Sequence, residues 1–533
     1  MNILMQIKED KEKIFQLLAY GIIVIAVFTA GLKSELASLT TDEAWAYNEW
    51  ISKGLTTIWK DYHLPTNHIL HSLFTYFSVL VFGLDEFVLR LPSLLSFLCL
   101  LLVFKALLEN SIKSMVLRVL CLASFALHPY ILDFAALARG YTLMNTFLYG
   151  AIALLFSCMR TFEQGQARRK LLLAGVLLGC AFGTIPLSLY LILSVNIVFF
   201  GYLFFGRVKN CVQEISVFIL PQVLVVVAVY FWSFEYLVAG SFFWGEQGIL
   251  ESLNSFGHIL FYLPQGHLDF MGYPDFSAEA LKPWLSGNFN ALREEVFYSL
   301  PFALLLLGLF CALIFVVLKI IRFESMVTRR PSPAVVYVAL WLVSIIGAFV
   351  HGEFLGALFL RNRAWLPWFP LFFLMCFHGL DYLLSTGLFR AFKSARAALL
   401  CLCLFLNAYW LSSINMEIYW EWPDNSTIKT IAQNFQELPP PQRRLTFVVP
   451  YYQHASFLFY RDFYGLDWLE PLYKRRDTPI YDFILINQTN VKEINRKSER
   501  KNMDLQYYRE ILTFPHFDMV LYKHRGLNTL STN

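Results

Sequence analysis

The sequence predicts a polytopic α-helical membrane protein of about eleven transmembrane helices, followed by a small α/β domain outside the membrane. Three observations carry that prediction. Of 533 residues, 57% are hydrophobic and only 15% charged, against about 45–50% and 25% in soluble domains. The mean hydropathy is +0.52. Apolar runs near the ~20-residue length that spans a bilayer recur to about residue 414 and then give way to short, strand-like runs. The net charge of +4 is small, and the absence of a basic stripe argues against a nucleic-acid partner.

The chain opens on a charged stretch, 1–13, and a first apolar run at about 15–32. That run is too long for the core of a cleaved leader, and Leu32-Lys33-Ser34-Glu35 is not a small-residue cleavage site, so it reads as an uncleaved first span. Basic clusters at Lys8/Lys11/Lys13, Arg160/Arg168/Arg169/Lys170, Arg207/Lys209, Lys319/Arg322/Arg329/Arg330 and Arg390/Lys393/Arg396 belong to the cytoplasmic side by the positive-inside rule. Thr40-Thr41-Asp42-Glu43 then lies outside, at the membrane rim.

The run 68–84 decides the rest of the topology. If it spans, the cluster at Arg160–Lys170 lands outside; if it does not, every basic cluster falls inside. Its His68, His71, Ser72, Thr75 and Tyr76 recur at helical-face spacing, so it reads as an amphipathic juxtamembrane helix in the outer interface. The second span is about 87–105. Further spans are about 115–130, 141–159, 171–184, 186–206, 213–234, 298–320, 333–350, 364–384 and 396–414, with Pro186 either separating two helices or kinking one. A transmembrane unit, 1–414, thus carries outer loops at 34–86 and 235–297.

The remainder, 415–533, reads as an extracytoplasmic α/β domain, with strands near 445–449, 483–486 and 519–522 and helices near 426–435 and 505–511. None of the nine cysteines lies in a segment placed outside, which argues against disulfides and a cysteine metal site.

Ionisable groups on the outer side are few and placed unevenly. Asp42-Glu43 follows the first span. His63, His68 and His71 come next, then Asp133 and Arg139 at a span junction. His351, Glu353, Arg361 and Arg363 lie late in the chain. A carboxylate at the rim is costly unless solvated, paired or functional. Outward arginines run against the topological bias, and a phosphate headgroup would explain them, since guanidinium binds phosphate bidentately and keeps its charge. Carboxylates beside arginines at headgroup depth suit displacement at a carbon bearing a lipid-linked phosphate. One group takes the acceptor's proton and the others stabilise the charge on the departing phosphate.

The order of these features resembles the GT-C superfamily of integral-membrane glycosyltransferases. Within it, the chain is similar to the bacterial RgtA/B/C/D-like and protein-mannosyltransferase-like enzymes, akin to lipid A aminoarabinose transferase. The motifs are Asp42-Glu43, Leu64-Pro65-Thr66-Asn67-His68, Arg90-Leu91-Pro92-Ser93, His128-Pro129-Tyr130, Ala138-Arg139-Gly140-Tyr141, and Arg361-Asn362-Arg363 before Leu366-Pro367-Trp368-Phe369-Pro370. Together they cover about the first 370 residues. The resemblance implies a GT-C fold and an inverting transfer from a polyprenyl-phosphate-linked sugar to a glycan, lipid or protein acceptor, at a bacterial inner membrane. Asp42 would be the catalytic base and Glu43 its companion, with Arg139, Arg361, Arg363, His68 and Tyr141 at the donor phosphate or lipid. His68-Ile69-Leu70 replaces the usual His-Pro-Pro-Leu, and Arg363-Ala364-Trp365 the usual Arg-Tyr pair, so Arg361 and Arg363 both stand as the phosphate contact. No metal ligands are implied, and a divalent cation is left open.

Plainer readings exist for each residue. Asp42 and Glu43 can simply begin a helix capped by Thr40 or Thr41. Arg90 reads as a helix-end anchor, the histidines as hydrogen-bonding groups on a polar face, and Tyr141 as an interfacial aromatic. Two other functions also fit the pattern: an oligosaccharide ligase or polymerase using polyprenyl-diphosphate donors, and a non-enzymatic lipid or solute transporter.

Overall fold

The computed structural model describes residues 2–161, 167–205, 210–235, 245–261, 332–385, 393–472, 481–487, 505–514 and 519–527. The expected span at 298–320 and most of the loop 235–297 lie outside them. The first eleven α-helices are α1 (Asn2–Leu36), α2 (Thr41–Ala46), α3 (Leu55–Lys60), α4 (Ile69–Phe82), α5 (Glu86–Ser111), α6 (Met115–Ala126), α7 (Pro129–Ala135), α8 (Tyr141–Thr161), α9 (Ala167–Thr184), α10 (Leu189–Phe205) and α11 (Cys211–Tyr230). Helices Ile249–Phe261, Pro333–Leu355, Phe369–Ser385 and Lys393–Ser412 are the other long helices of the bundle among the described residues.

Among the described residues, six helices are long and apolar enough to cross a membrane, or seven if the bent pair α6–α7 is one span. The sequence reading expected more. Helix α9 falls short because Arg168, Arg169 and Lys170 fill its first turn. Helix Phe369–Ser385 has 17 residues, and the apolar part of the next helix runs only from Ala397 to Ser412. The expected span at 115–130 is broken by 56° between α6 and α7. Pro129 cannot donate a backbone hydrogen bond there, and His128 caps the new helix by accepting from the Tyr130 N–H. At Pro186 the chain likewise breaks, through a 3-10 turn, before α10 starts.

Helix α1 shows how the bundle is held. Phe15, Ala19, Ile23, Ala26 and Ala30 form a buried stripe at helical spacing, while Leu17, Val24 and Phe28 on its other side are exposed, as a lipid-facing surface requires. Glycines let α9 and α11 approach closely: a Cβ on Gly175 would sit 2.2 Å from the Phe218 carbonyl oxygen.

Helix α4 has the polar stripe expected of it, turned the other way. His71, Ser72 and Thr75 face the protein interior, while Phe77, Leu80, Val81 and Phe82 are exposed. Its 14 residues rise only about 21 Å, short of a ~30 Å hydrocarbon core. The polar groups are inside because they have partners: His71 Nε2 lies 2.8 Å from Ser93 Oγ, which donates to the Arg139 carbonyl at 3.0 Å.

Beyond the bundle, a five-stranded mixed sheet has the order β2-β1-β3-β5-β4, from β1 (Leu445–Val448), β2 (Leu469–Leu472), β3 (Phe483–Asn487), β4 (Tyr508–Phe514) and β5 (Met519–His524). β1 pairs in parallel with β2 and β3; β5 runs antiparallel to β3 and β4. Helices Ser426–Gln436 and Tyr451–Phe463 bury Ile428, Ile431, Phe435, Phe457 and Tyr460 against its core. The expected helix at 505–511 is instead a 3-10 turn leading into β4. Tyr508, Leu512 and Phe514 reward pairing with β5 more than a helix would.

The sheet domain is joined to the bundle at its site-bearing end. Lys33, at the end of α1, is buried against Asp133 of α7 at 2.6 Å and donates to the carbonyls of Asn415 and Ile418. The Tyr460 hydroxyl oxygen accepts from Ser38 Oγ (3.3 Å) and from the Leu39 N–H (2.7 Å). The Thr41 hydroxyl donates to the Tyr452 carbonyl.

Candidate active site

The site forms where α1 hands over to α2. Thr40 caps α2, its Oγ1 accepting from the Glu43 N–H, and Glu43 Oε2 accepts from the Thr40 N–H at 2.8 Å. This reciprocal capping box follows from Thr40-x-x-Glu43. It fixes the turn that presents Asp42.

Both carboxylate oxygens of Glu43 are held by neighbouring groups. Arg90 Nε reaches Glu43 Oε1 at 2.8 Å and Arg90 Nη2 reaches Oε2 at 3.1 Å, both side chains without solvent exposure. The Ala138 N–H donates to Oε1 at 2.7 Å. Arg90 also donates to the carbonyls of Ser34, Ala37 and Ser38. One ion pair therefore ties together the end of α1, the start of α5 and the α7–α8 bend. The expected helix-end anchor and the expected catalytic companion are partners in a buried clamp.

That clamp brings Arg139 to Asp42. Arg139 Nη1 donates to the Thr66 carbonyl at 2.8 Å, and its Nη2 lies 3.8 Å from Asp42 Oδ2. Arg363 arrives from the far end of the chain, on the 3-10 turn Asn362–Trp368, with Nη1 3.2 Å from the same oxygen. Among the described residues, Asp42 Oδ2 accepts no aligned hydrogen bond despite this approach, and Arg139 Nε is also buried without a hydrogen-bond partner. The Asp42 side chain is 14% exposed and Arg363 31%, so the pair opens to the surface. Arg361 is placed differently, with Nε 3.3 Å from Glu246 Oε1.

His68 caps no helix with its side chain but sits behind Arg139. The Gly140 N–H lies 2.9 Å from His68 Nδ1 and Arg139 Nη2 lies 3.2 Å from Nε2, so both ring nitrogens face N–H donors and the neutral ring accepts from one of them at a time. Burial and then the Arg139 charge hold its imidazole well below the usual range. Gly140 is required here, since a Cβ would lie 2.7 Å from Thr184 Cγ2 and 3.1 Å from His68 Cβ. Tyr141 packs edge-on to His68 at 5.2 Å. His63 lies apart, beside Asp61, and no cluster with metal-ligating spacing occurs among the described residues.

Sequence reasoning missed Glu421. It lies between Trp420 and Trp422 in the segment joining the last helix to the sheet domain. Glu421 Oε1 accepts from the Arg363 N–H at 2.9 Å and from the Tyr130 hydroxyl, while Oε2 lies 3.1 Å from Arg363 Nη1. Burial raises its carboxyl above the usual carboxylate range, with Arg363 and Tyr130 opposing the shift only in part. The Arg363 guanidinium stacks 5.0 Å from the Trp422 ring. The signal was present: a lone carboxylate between two tryptophans at a membrane rim has the same cost that singled out Asp42.

Chemically, the site holds two guanidinium groups that reach one carboxylate, drawn from three distant segments at one end of the bundle. Such an arrangement can hold a phosphate while a carboxylate oxygen accepts a proton beside it.

No family model matches the sequence, and no curated protein matches it. Among solved structures, the chain is similar to the oligosaccharyltransferase of Archaeoglobus fulgidus in complex with zinc and sulfate, at 13% identity and a TM-score of 0.48, covering 94% of this chain and 73% of that one. It is also similar to ArnT from Cupriavidus metallidurans bound to undecaprenyl phosphate, at 12% identity and a TM-score of 0.44, covering 95% and 97%. The apo state of that ArnT gives 12% identity and a TM-score of 0.33, covering 94% and 96%. With all three scores below 0.5, the case for the site rests on its own residues.

Proposed function

We propose that the protein is a GT-C-type glycosyltransferase that moves a sugar from a polyprenyl-phosphate donor to an acceptor hydroxyl or amine on the outer face of a bacterial inner membrane, with inversion. The observation that carries this reading is the meeting of Asp42 with Arg363 at 3.2 Å and Arg139 at 3.8 Å. Asp42 is the base. It takes the proton from the acceptor as the acceptor atom bonds to the anomeric carbon. The bond from that carbon to the phosphate oxygen breaks, and its electron pair leaves with the polyprenyl phosphate. Arg139 and Arg363 stabilise that charge, which grows only in the transition state. His68 and Tyr141 back Arg139, and Arg361 stands at the rim on Glu246. Glu43 acts by holding the turn and the bend in place, not by touching substrate.

The test is a reconstituted protein offered a panel of undecaprenyl-phosphate-linked sugars, each carrying one hexose or pentose. Release of undecaprenyl phosphate, with an acceptor one sugar heavier, is the expected result. Protein that neither binds undecaprenyl monophosphate nor releases it from any donor would overturn the proposal.

A further inference from the structure

Arg363 is held from two sides. Its Nη1 lies 3.2 Å from Asp42 Oδ2 and 3.1 Å from Glu421 Oε2. Glu421 is also fixed independently of that nitrogen, by the Arg363 N–H and by Tyr130. It therefore stays in place when the guanidinium turns away. The strap around it is anchored too, the Trp420 N–H donating to Asp133 Oδ2 at 2.9 Å.

The charges change during the reaction read above. A donor phosphodiester carries about one negative charge, whereas the released monoester carries about 1.5 to 2 at neutral pH. The acceptor proton meanwhile neutralises Asp42. The arginines thus face a more strongly charged product just as one of their two resident carboxylates loses its charge. Among the described residues, Glu421 is the remaining carboxylate within ion-pair distance of Arg363.

We infer that Glu421 is a positioning residue that competes with the lipid phosphate for Arg363, so that polyprenyl phosphate can leave after transfer. This rests on the glycosyltransferase reading, and it assigns to the strap between bundle and sheet domain a role in product release. The competition is between two anions for one guanidinium. Removing the resident anion strengthens the other's hold.

Binding of undecaprenyl monophosphate to the full-length protein in detergent tests this. Glu421→Gln keeps an oxygen to accept from the Arg363 N–H and from Tyr130 but removes the charge. It should bind the lipid about tenfold more tightly, on the scale of one charge-assisted hydrogen bond released from competition. A merely structural residue would give the opposite sign, because a damaged site binds more weakly. If Glu421→Gln does not fold, Glu421→Asp carries the test: its retracted carboxylate should bind the lipid more tightly than wild type, by a smaller factor. Equal or weaker binding in the folded variant overturns the inference. Wild-type binding that Arg363→Ala abolishes keeps the glycosyltransferase reading intact in that event. Failure of the wild type to bind at all would end both.

Discussion

Asp42 and Glu43 are neighbours in sequence and opposites in the structure, and Glu43→Ala separates them. The substitution strips Arg90 of both Glu43 contacts, at 2.8 and 3.1 Å, in a place with no solvent to replace them, and leaves Glu86 Oε2 at 3.9 Å as its carboxylate partner. Breaking a buried ion pair by removing one partner costs about 3–5 kcal/mol, because the other charge is left uncompensated. The Ala138 and Thr40 N–H groups lose their acceptor as well, adding about 1–3 kcal/mol for each that water cannot reach. Part of the Arg90 penalty is relieved by Glu86 and by the carbonyls of Ser34, Ala37 and Ser38, so the loss is at least about 4 kcal/mol. Thermal unfolding of detergent-solubilised protein, followed at one fixed scan rate, reads the loss. The double variant Glu43→Ala/Arg90→Leu should recover part of it, since no unpaired charge remains. Glu43→Ala unfolding at the wild-type temperature would refute the clamp and return Glu43 to the chemistry.

Three further outcomes follow from the same geometry. Arg363→Ala should weaken binding of undecaprenyl monophosphate by tenfold or more, whereas Arg361→Ala, whose partner is Glu246, should change it by about threefold or less; the reverse ranking would reassign the phosphate contact. His68 is held neutral when folded, so below about pH 6.5 the unfolded chain binds a proton that the folded one does not. Stability then falls with acidification by up to about 1.4 kcal/mol per pH unit for that group. His68→Gln should therefore lose less stability between pH 7.5 and 5.5 than wild type in the same unfolding assay, and an equal loss would contradict the assignment. A reporter fused after Leu84 should read as outside, because α4 is too short to cross; a cytoplasmic signal would reverse the topology from that point on.

The sequence carried the parts of this account that depend on local pattern. Apolar length marked α1, α5, α8 and the helix Pro333–Leu355, and Thr40 or Thr41 before Asp42-Glu43 was a visible helix cap. It did not carry what depends on which groups meet. The polar stripe of α4 was visible, but its direction was set by Ser93 and Arg139, residues on other helices that offer hydrogen bonds inside. Arg361 and Arg363 were equivalent in sequence, and only the turn Asn362–Trp368 aims one at Asp42 and the other at Glu246. Arg90 was read as an anchor without its partner because Glu43 lies 47 positions away. Glu421 was passed over because the segment around it reads as the start of a separate domain, when it folds back beneath Arg363.

In the proposed reaction Asp42 takes the acceptor's proton, and the fold does not depend on it. Asp42→Asn keeps the shape and removes the basicity, so its rate of undecaprenyl phosphate release from a sugar-charged donor, measured beside its unfolding temperature, separates chemistry from folding. That rate should fall at least about a hundredfold, the low end for general-base catalysis, with the unfolding temperature unchanged. Wild-type turnover in Asp42→Asn would contradict it.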